Sequence, residues 1–408
     1  MTSRQPSTET LVEIDEGSGR RPDIVWLDNA VLRLGFVAEL GGRLLSVQLR
    51  GRETLWRNTE LLDQNLHPVP PHVPAPVSGP MSVWNNYGGD KTWPAPQGWS
   101  GPAEWAGPPD PVLDSGRYDR RVERTSGAVT VTMTSGHDPR TGLTLTRAVT
   151  LRDGQSGYDV RLEARNTSAK PVRWALWNVT QRAAGAPGSG GVYVGVTDGD
   201  HRAVPLAVGT GAPRHEVLGT DRVLVPHQDV VGKVGFPGAS GWLAHGAHGV
   251  TTTQTFTVDP HGDYPDGGSR VEVWMEHPLS EPIEHLGGLH PRARIVEIEL
   301  LGPSTTLAPG EHTALEYRCA IAAGEGEVRA VTPAGHWESD ARFAAYVSGD
   351  LLAGGGVVVG GVRAGAAITL DSTLIGCPIM LRENGTGAEH DLGTAPGTGR
   401  AHDRKEEL

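Results

Sequence analysis

Residues 128–134, Ala128-Val129-Thr130-Val131-Thr132-Met133-Thr134, place an apolar side chain at every second position with threonines between. A period of two, rich in β-branched residues, is the pattern of a half-buried strand and not of a helix. Runs of the same kind recur at 143–151, 158–164 and 172–179. Toward the N-terminus, the short runs 24–27, 30–36 and 43–49 are separated by Gly or Asn/Asp turns. Toward the C-terminus, strand-like runs follow at 192–196, 241–244, 251–258, 270–275, 294–300 and 313–321. No stretch before Gly324 keeps a helical period over three turns. Many short strands without intervening helices predict an all-β protein, a large antiparallel sandwich or barrel.

Composition agrees. Of 408 residues, 56 are Gly and 31 Pro, which sit badly inside long helices, while hydrophobic residues still supply 37% for a core. A formal net charge of −12 argues against nucleic acid as a partner. The N-terminus has no apolar signal segment and no 18 apolar residues run together, so no membrane partner and a cytoplasmic location are expected. Cys319 and Cys377 stand apart and form neither a disulfide framework nor a thiolate zinc cage. Eleven Trp against four Phe suggest indole faces used for stacking, with sugar rings as a common target.

The chain divides on pattern into a disordered tail at 1–20, a sandwich domain at 21–323, a β-rich extension at 324–390 that opens with a short helix at 341–347, and a disordered tail at 391–408. Residues 66–111 hold 12 of the prolines together with Trp84, Trp93, Trp99 and Trp105. A connection this long and aromatic reads as an ordered functional loop.

Three stretches resemble the galactose mutarotase-like superfamily, which includes the aldose 1-epimerases. They are Gly41-Gly42-Arg43-Leu44-Leu45-Ser46-Val47 followed by Gly51-Arg52-Glu53-Thr54-Leu55; Val160 through Ser168 with Pro171 and then Ala175-Leu176-Trp177-Asn178-Val179-Thr180; and Ile295 through Leu300, Pro303, Leu307 and Pro309-Gly310-Glu311, with a strand to Tyr317. The resemblance implies a β-supersandwich with a carbohydrate on its concave face; no cofactor is expected. The passage from Trp84 to Gln97, containing Tyr87-Gly88-Gly89-Asp90-Lys91-Thr92-Trp93-Pro94, is similar to the hallmark of a largely bacterial, uncharacterised branch of that superfamily.

In aldose epimerases one His is the base, a second polarises the ring oxygen and a Glu takes the anomeric proton, and the Glu position maps to Glu297. Glu299, two residues on, shares its strand face. At the family's central His this chain has Trp177-Asn178, neither of them a base near neutrality. Glu276-His277, directly after the strand at 271–275, supplies the replacement candidates, with His277 as acid or base. Lys91 follows two glycines and Asp90. Its ammonium suits an oxyanion or carboxylate, or pairs with Asp90 to pin the loop, while Trp93 and Trp84 offer stacking faces. The expected catalytic set is thus Glu297, His277 and Lys91. The expected substrate-binding set is Trp84, Asp90, Trp93, Trp177, Asn178, Glu276 and Glu299. Six histidines between 245 and 290 lack the spacing of a zinc site, so no metal is expected. The small-molecule partner is a carbohydrate or a related ligand. The chemistry is epimerase-like proton transfer, with a non-catalytic sugar binder, a lyase or a biosynthetic cyclase as the other readings.

Overall fold

The computed structural model describes residues 12–16, 24–98 and 101–397. Most of the two tails, and Trp99, lie outside the described residues. Two large antiparallel sheets face each other. The first is built, in chain order, from β1 (Glu13–Asp15), β2 (Ile24–Asp28), β3 (Leu32–Val37), β4 (Arg43–Leu49), β5 (Asp90–Ala95), β6 (Val172–Ala183), β7 (Val204–Val208), β8 (Gly232–Phe236), β9 (Val271–Glu276) and β10 (Ile295–Leu301). Its spatial order is β1-β2-β3-β4-β5-β6-β10-β9-β8-β7, with Arg52–Glu53 and Thr305–Leu307 paired beside this path. The second sheet has ten strands, with Leu143–Arg152, Gly157–Asn166 and His312–Ala323 near its middle. This is the large all-β antiparallel sandwich that the alternating runs predict.

The strand Leu143–Arg152 shows the logic of the core. Leu143, Leu145, Val149 and Leu151 point inward and are at most 1% exposed, while the threonines between them are half-buried. In β10, Val296, Ile298 and Leu300 join the core, yet Glu297 and Glu299 on the opposite face are also buried. That outer face therefore lies under cover of chain and not in open water. Beyond the sandwich, two four-stranded sheets between Val328 and Thr394 enclose a second apolar core around Trp337, Phe343, Leu351, Ile379 and Leu381. A buried hydrogen bond ties this extension to the sandwich, between the Tyr346 hydroxyl and Thr253 at 2.6 Å, and within the extension His336 meets the same hydroxyl at 2.8 Å.

Four expectations are corrected. The stretch 66–111 is not all loop, because Asp90–Ala95 is a central strand between β4 and β6. Pro94 conceals it in the sequence, since a residue without an N–H argues against a mid-sheet strand. Glu13–Asp15, inside the expected N-terminal tail, pairs with β2, and Glu389–Thr394 carries a strand into the expected C-terminal tail. The helix expected at 341–347 is instead the strand Arg342–Ala345, whose Phe343 ring packs on Trp337 at 4.9 Å. Positive φ at Asp340 and Ala341 makes the tight turn of a hairpin there. Among the described residues no helix is long and apolar enough to cross a membrane.

Candidate functional site

The outer face of the first sheet is assembled by register. Trp93 on β5 pairs with Trp177 on β6, Gln181 on β6 with Glu297 on β10, and Glu297 in turn with Trp274 on β9. Alternation puts Lys91, Trp93, Trp177, Gln181, Glu297, Glu299, Glu272, Trp274 and Glu276 on this one side. Gly88 and Gly89 deliver the chain into β5 at positive φ, 86° and 80°, and a Cβ on either would fall within 2.5 Å of the carbonyl oxygen of Trp56 or Leu44. Only glycine fits that entry.

A cavity of about 380 Å³ opens over this face, within the size range of small-molecule sites, roughly 300–1,000 Å³. Trp84, Trp93, Trp177 and Trp274 supply its aromatic walls, and Lys233, Glu276, Glu297 and His285 its polar groups. The Trp93 ring is 5.3 Å from Trp177, 6.3 Å from Trp84 and 5.0 Å from Trp105, so it forms the centre of an aromatic box.

The charges interlock. Lys91 is 1% exposed, and its ammonium lies 3.4 Å from Glu297 Oε1 and 4.7 Å from the Trp93 ring centroid. Gln181 donates to the same Oε1 at 2.5 Å, which leaves Oε2 as the Glu297 oxygen available to a ligand. Burial lowers the Lys91 pKa, the Glu297 carboxylate opposes that, and the nearby Arg43 guanidinium adds to it. Arg43 ion-pairs with the buried Asp114, which also accepts from Trp84 Nε1 at 2.9 Å and so holds that indole in place.

Glu276 accepts from Trp274 Nε1 at 2.9 Å. Burial, reinforced by the charge of Glu297, raises its carboxyl from 4.5 to about 7. Deeper in, the Lys233 ammonium bridges Glu272 at 2.9 Å and Glu299 at 2.8 Å. Burial raises both carboxyls and Lys233 opposes the rise, while the two carboxyls hold Lys233 charged against its own desolvation. Trp177 donates to Glu299 at 2.6 Å and lies 4.2 Å beneath the Lys233 ammonium, so this buried triad fixes the indole platform.

Of the expected residues, Lys91, Trp84, Trp93, Trp177, Glu276, Glu297 and Glu299 share this side of the sheet. Three do not. Asp90 and Asn178 point into the sandwich, where Asp90 pairs with Arg147 and Asn178 meets the Tyr317 hydroxyl at 2.8 Å and Thr180 at 3.1 Å. Neighbours on a strand face opposite ways, so Asp90 cannot join Lys91, nor Asn178 join Trp177. Likewise His277, one residue beyond Glu276, lines neither this cavity nor the one beside it and lies near Asp229. The histidine that does line the cavity is His285. Its Nε2 donates to the Val208 carbonyl at 2.8 Å, which leaves Nδ1 as an acceptor when the ring is neutral. The sequence signalled His285 only as one of a cluster and Trp274 only as a strand residue, and it did not single out Lys233, because the segments that carry them meet across sheet pairings far apart in the chain.

A family profile described as a domain of unknown function, DUF4380, matches residues 23–321. The chain belongs to this family. Every residue of the aromatic box and its charges falls within the DUF4380 span. Among solved structures, a TPR-domain containing protein from Parabacteroides distasonis is similar at 13% identity and TM-score 0.50, with 76% of this chain and 49% of that chain covered. The DUF4380 chain therefore spans about half the length of that protein. A galactose mutarotase-like protein from Lactobacillus casei is 16% identical, TM-score 0.46, covering 73% of this chain and 99% of that one. A galactose 1-epimerase from Lactobacillus acidophilus is 12% identical, TM-score 0.46, covering 78% and 100%. At such identities the likeness is one of fold. No curated protein matches the chain.

Proposed function

We propose that this DUF4380 protein is an enzyme that binds a sugar or sugar derivative against the Trp box and isomerises it by proton transfer between the sugar and the two carboxyls of Glu276 and Glu297. The observation that carries the reading is Glu276, whose carboxyl is held at about 7 in the wall of an aromatic cavity beside a second carboxylate. A group poised near neutrality gives and takes a proton with little driving force lost. In a cyclic hemiacetal, Glu297 Oε2 takes the anomeric hydroxyl proton while Glu276 gives its own to the ring oxygen. The bond between C1 and the ring oxygen breaks with its electron pair staying on the ring oxygen, which takes the proton, while the pair freed from the anomeric O–H becomes the second C–O bond of the aldehyde. Reclosure on the other carbonyl face returns both protons and yields the other anomer, with no oxidant or reductant consumed. Lys91 and Gln181 position Glu297, and the indoles hold the ring.

Anomeric-exchange NMR on a panel of free sugars tests this. At least one sugar is expected to exchange faster with enzyme, and Glu297→Gln is expected to cut the catalysed rate by about 100-fold or more. An undiminished rate in that variant refutes the assignment. A second reading, a non-catalytic sugar binder, is favoured by Trp177 standing where the resemblance leads one to expect the central His. Binding by the unaltered protein with no anomeric exchange across the panel supports it.

A further inference from the structure

A second cavity, of about 330 Å³, adjoins the Trp box and shares Met81, Trp84, Glu276 and Leu289 with it as lining. Its remaining polar wall is rich in nitrogen donors. Arg57 lines it with a side chain only 11% exposed, and its guanidinium approaches Glu53 at 3.5 Å. Glu53 is already engaged: Oε1 accepts from the N–H groups of Val47, Thr54 and Leu55, and Oε2 from the Ser46 hydroxyl. The Nε and Nη1 of Arg57 make no hydrogen bond among the described residues.

Asn58 and Asn86 stand beside Arg57 in this wall. Asn58 Oδ1 accepts from the Glu60 N–H at 3.0 Å and Asn86 Oδ1 from the Gly88 N–H at 3.1 Å. Backbone donors can meet only the amide oxygen, so both orientations are fixed and the Nδ2 groups remain as donors. Arg292 adds an exposed positive charge, while the Glu60 carboxylate is exposed and screened by solvent.

A compartment with a planar guanidinium, two amide donors and a second cation is chemically complementary to an oxyanion. We propose that it binds a carboxylate or phosphate carried by the sugar whose ring occupies the Trp box, so that the substrate is an acidic sugar derivative and not a neutral sugar. This rests on the reading of the Trp box as a sugar site. Glu276, on the shared wall, then stands between the ring and the acidic substituent.

Calorimetric titration of the full chain at low salt tests the proposal, with glucose and galactose compared with their uronates and their 6-phosphates. At least one acidic sugar is expected to bind about tenfold or more tightly than its neutral parent, the gain shrinking as salt rises. Uronate against phosphate tells which oxyanion is preferred. Arg57→Gln, with folding checked by circular dichroism, is expected to bring that preference close to one. Arg292→Gln, a change at an exposed side chain, is expected to reduce the preference as well and serves if the first variant does not fold. Neutral sugars binding as tightly as every acidic counterpart, or a preference that survives Arg57→Gln, overturns the proposal and leaves the Trp box reading standing. No binding by any sugar, neutral or acidic, overturns both.

Discussion

Replacing Glu276 by Gln removes one ionisable proton while keeping the shape of the side chain and an Oε1 acceptor for Trp274, now 2.9 Å away. Burial raises the Glu276 carboxyl from 4.5 to about 7. Below pH 4.5 the group is protonated in both folded and unfolded chains and contributes no difference. Between 4.5 and about 7 the folded carboxyl keeps a proton that the unfolded one has lost, so stability falls as pH rises, and the loss is complete above about 7. At about 1.36 kcal/mol per pH unit, that interval corresponds to about 3 kcal/mol. Glutamine has no proton to lose, so the variant should gain on the parent protein by this amount between acidic pH and about pH 8. With about 2.1 cal/mol/K of unfolding entropy per residue, a chain of this length shifts its melting temperature by about 4 °C for that energy. Thermal unfolding of both proteins from about pH 4 to about pH 8 measures it, since the titrations of groups that do not interact with Glu276 are common to the pair and cancel. An offset that stays constant with pH, or one that shrinks as pH rises, would show that Glu276 is not held protonated by its burial.

Two further substitutions test the placement of residues that the sequence grouped with the site. His277→Ala is expected to leave the turnover of an active sugar unchanged; loss of turnover with folding intact would put the base there after all. Asp90→Ala is expected to cost about 3–5 kcal/mol in urea unfolding by leaving the Arg147 guanidinium unpaired inside the sandwich, with the affinity of the folded protein for sugar unchanged. Weakened binding at normal stability would instead put Asp90 at the ligand.

The charged residues show where reading the chain by segments fails. Lys91 and Glu297 are 206 positions apart, and the sequence suggested each for a different local reason: Lys91 for its glycine neighbours, Glu297 for its motif. That they touch follows only from β5, β6 and β10 lying side by side. The same packing separates residues that looked like partners, because a strand sends Lys91 to one face and Asp90 to the other. Arg147 is the reverse case. It occupies an inward position in a run that reads as a half-buried strand, and nothing in that run announces that Asp90 will meet it in the core.

By itself the sequence determined the strand periodicity, hence the all-β class, because a period of two gives each strand one apolar face and a chain without helical segments must bury those faces among strands, in a sandwich or a barrel. Its tryptophan surplus and the glycines at 88–89 also marked the region that forms the site. The tertiary structure alone decided which charges share the pocket, that Pro94 sits in a central strand, that His285 and not His277 reaches the cavity, and that Glu276 is held near neutrality. Those are properties of register, face and desolvation, and each is set by strands that come together from opposite ends of the chain.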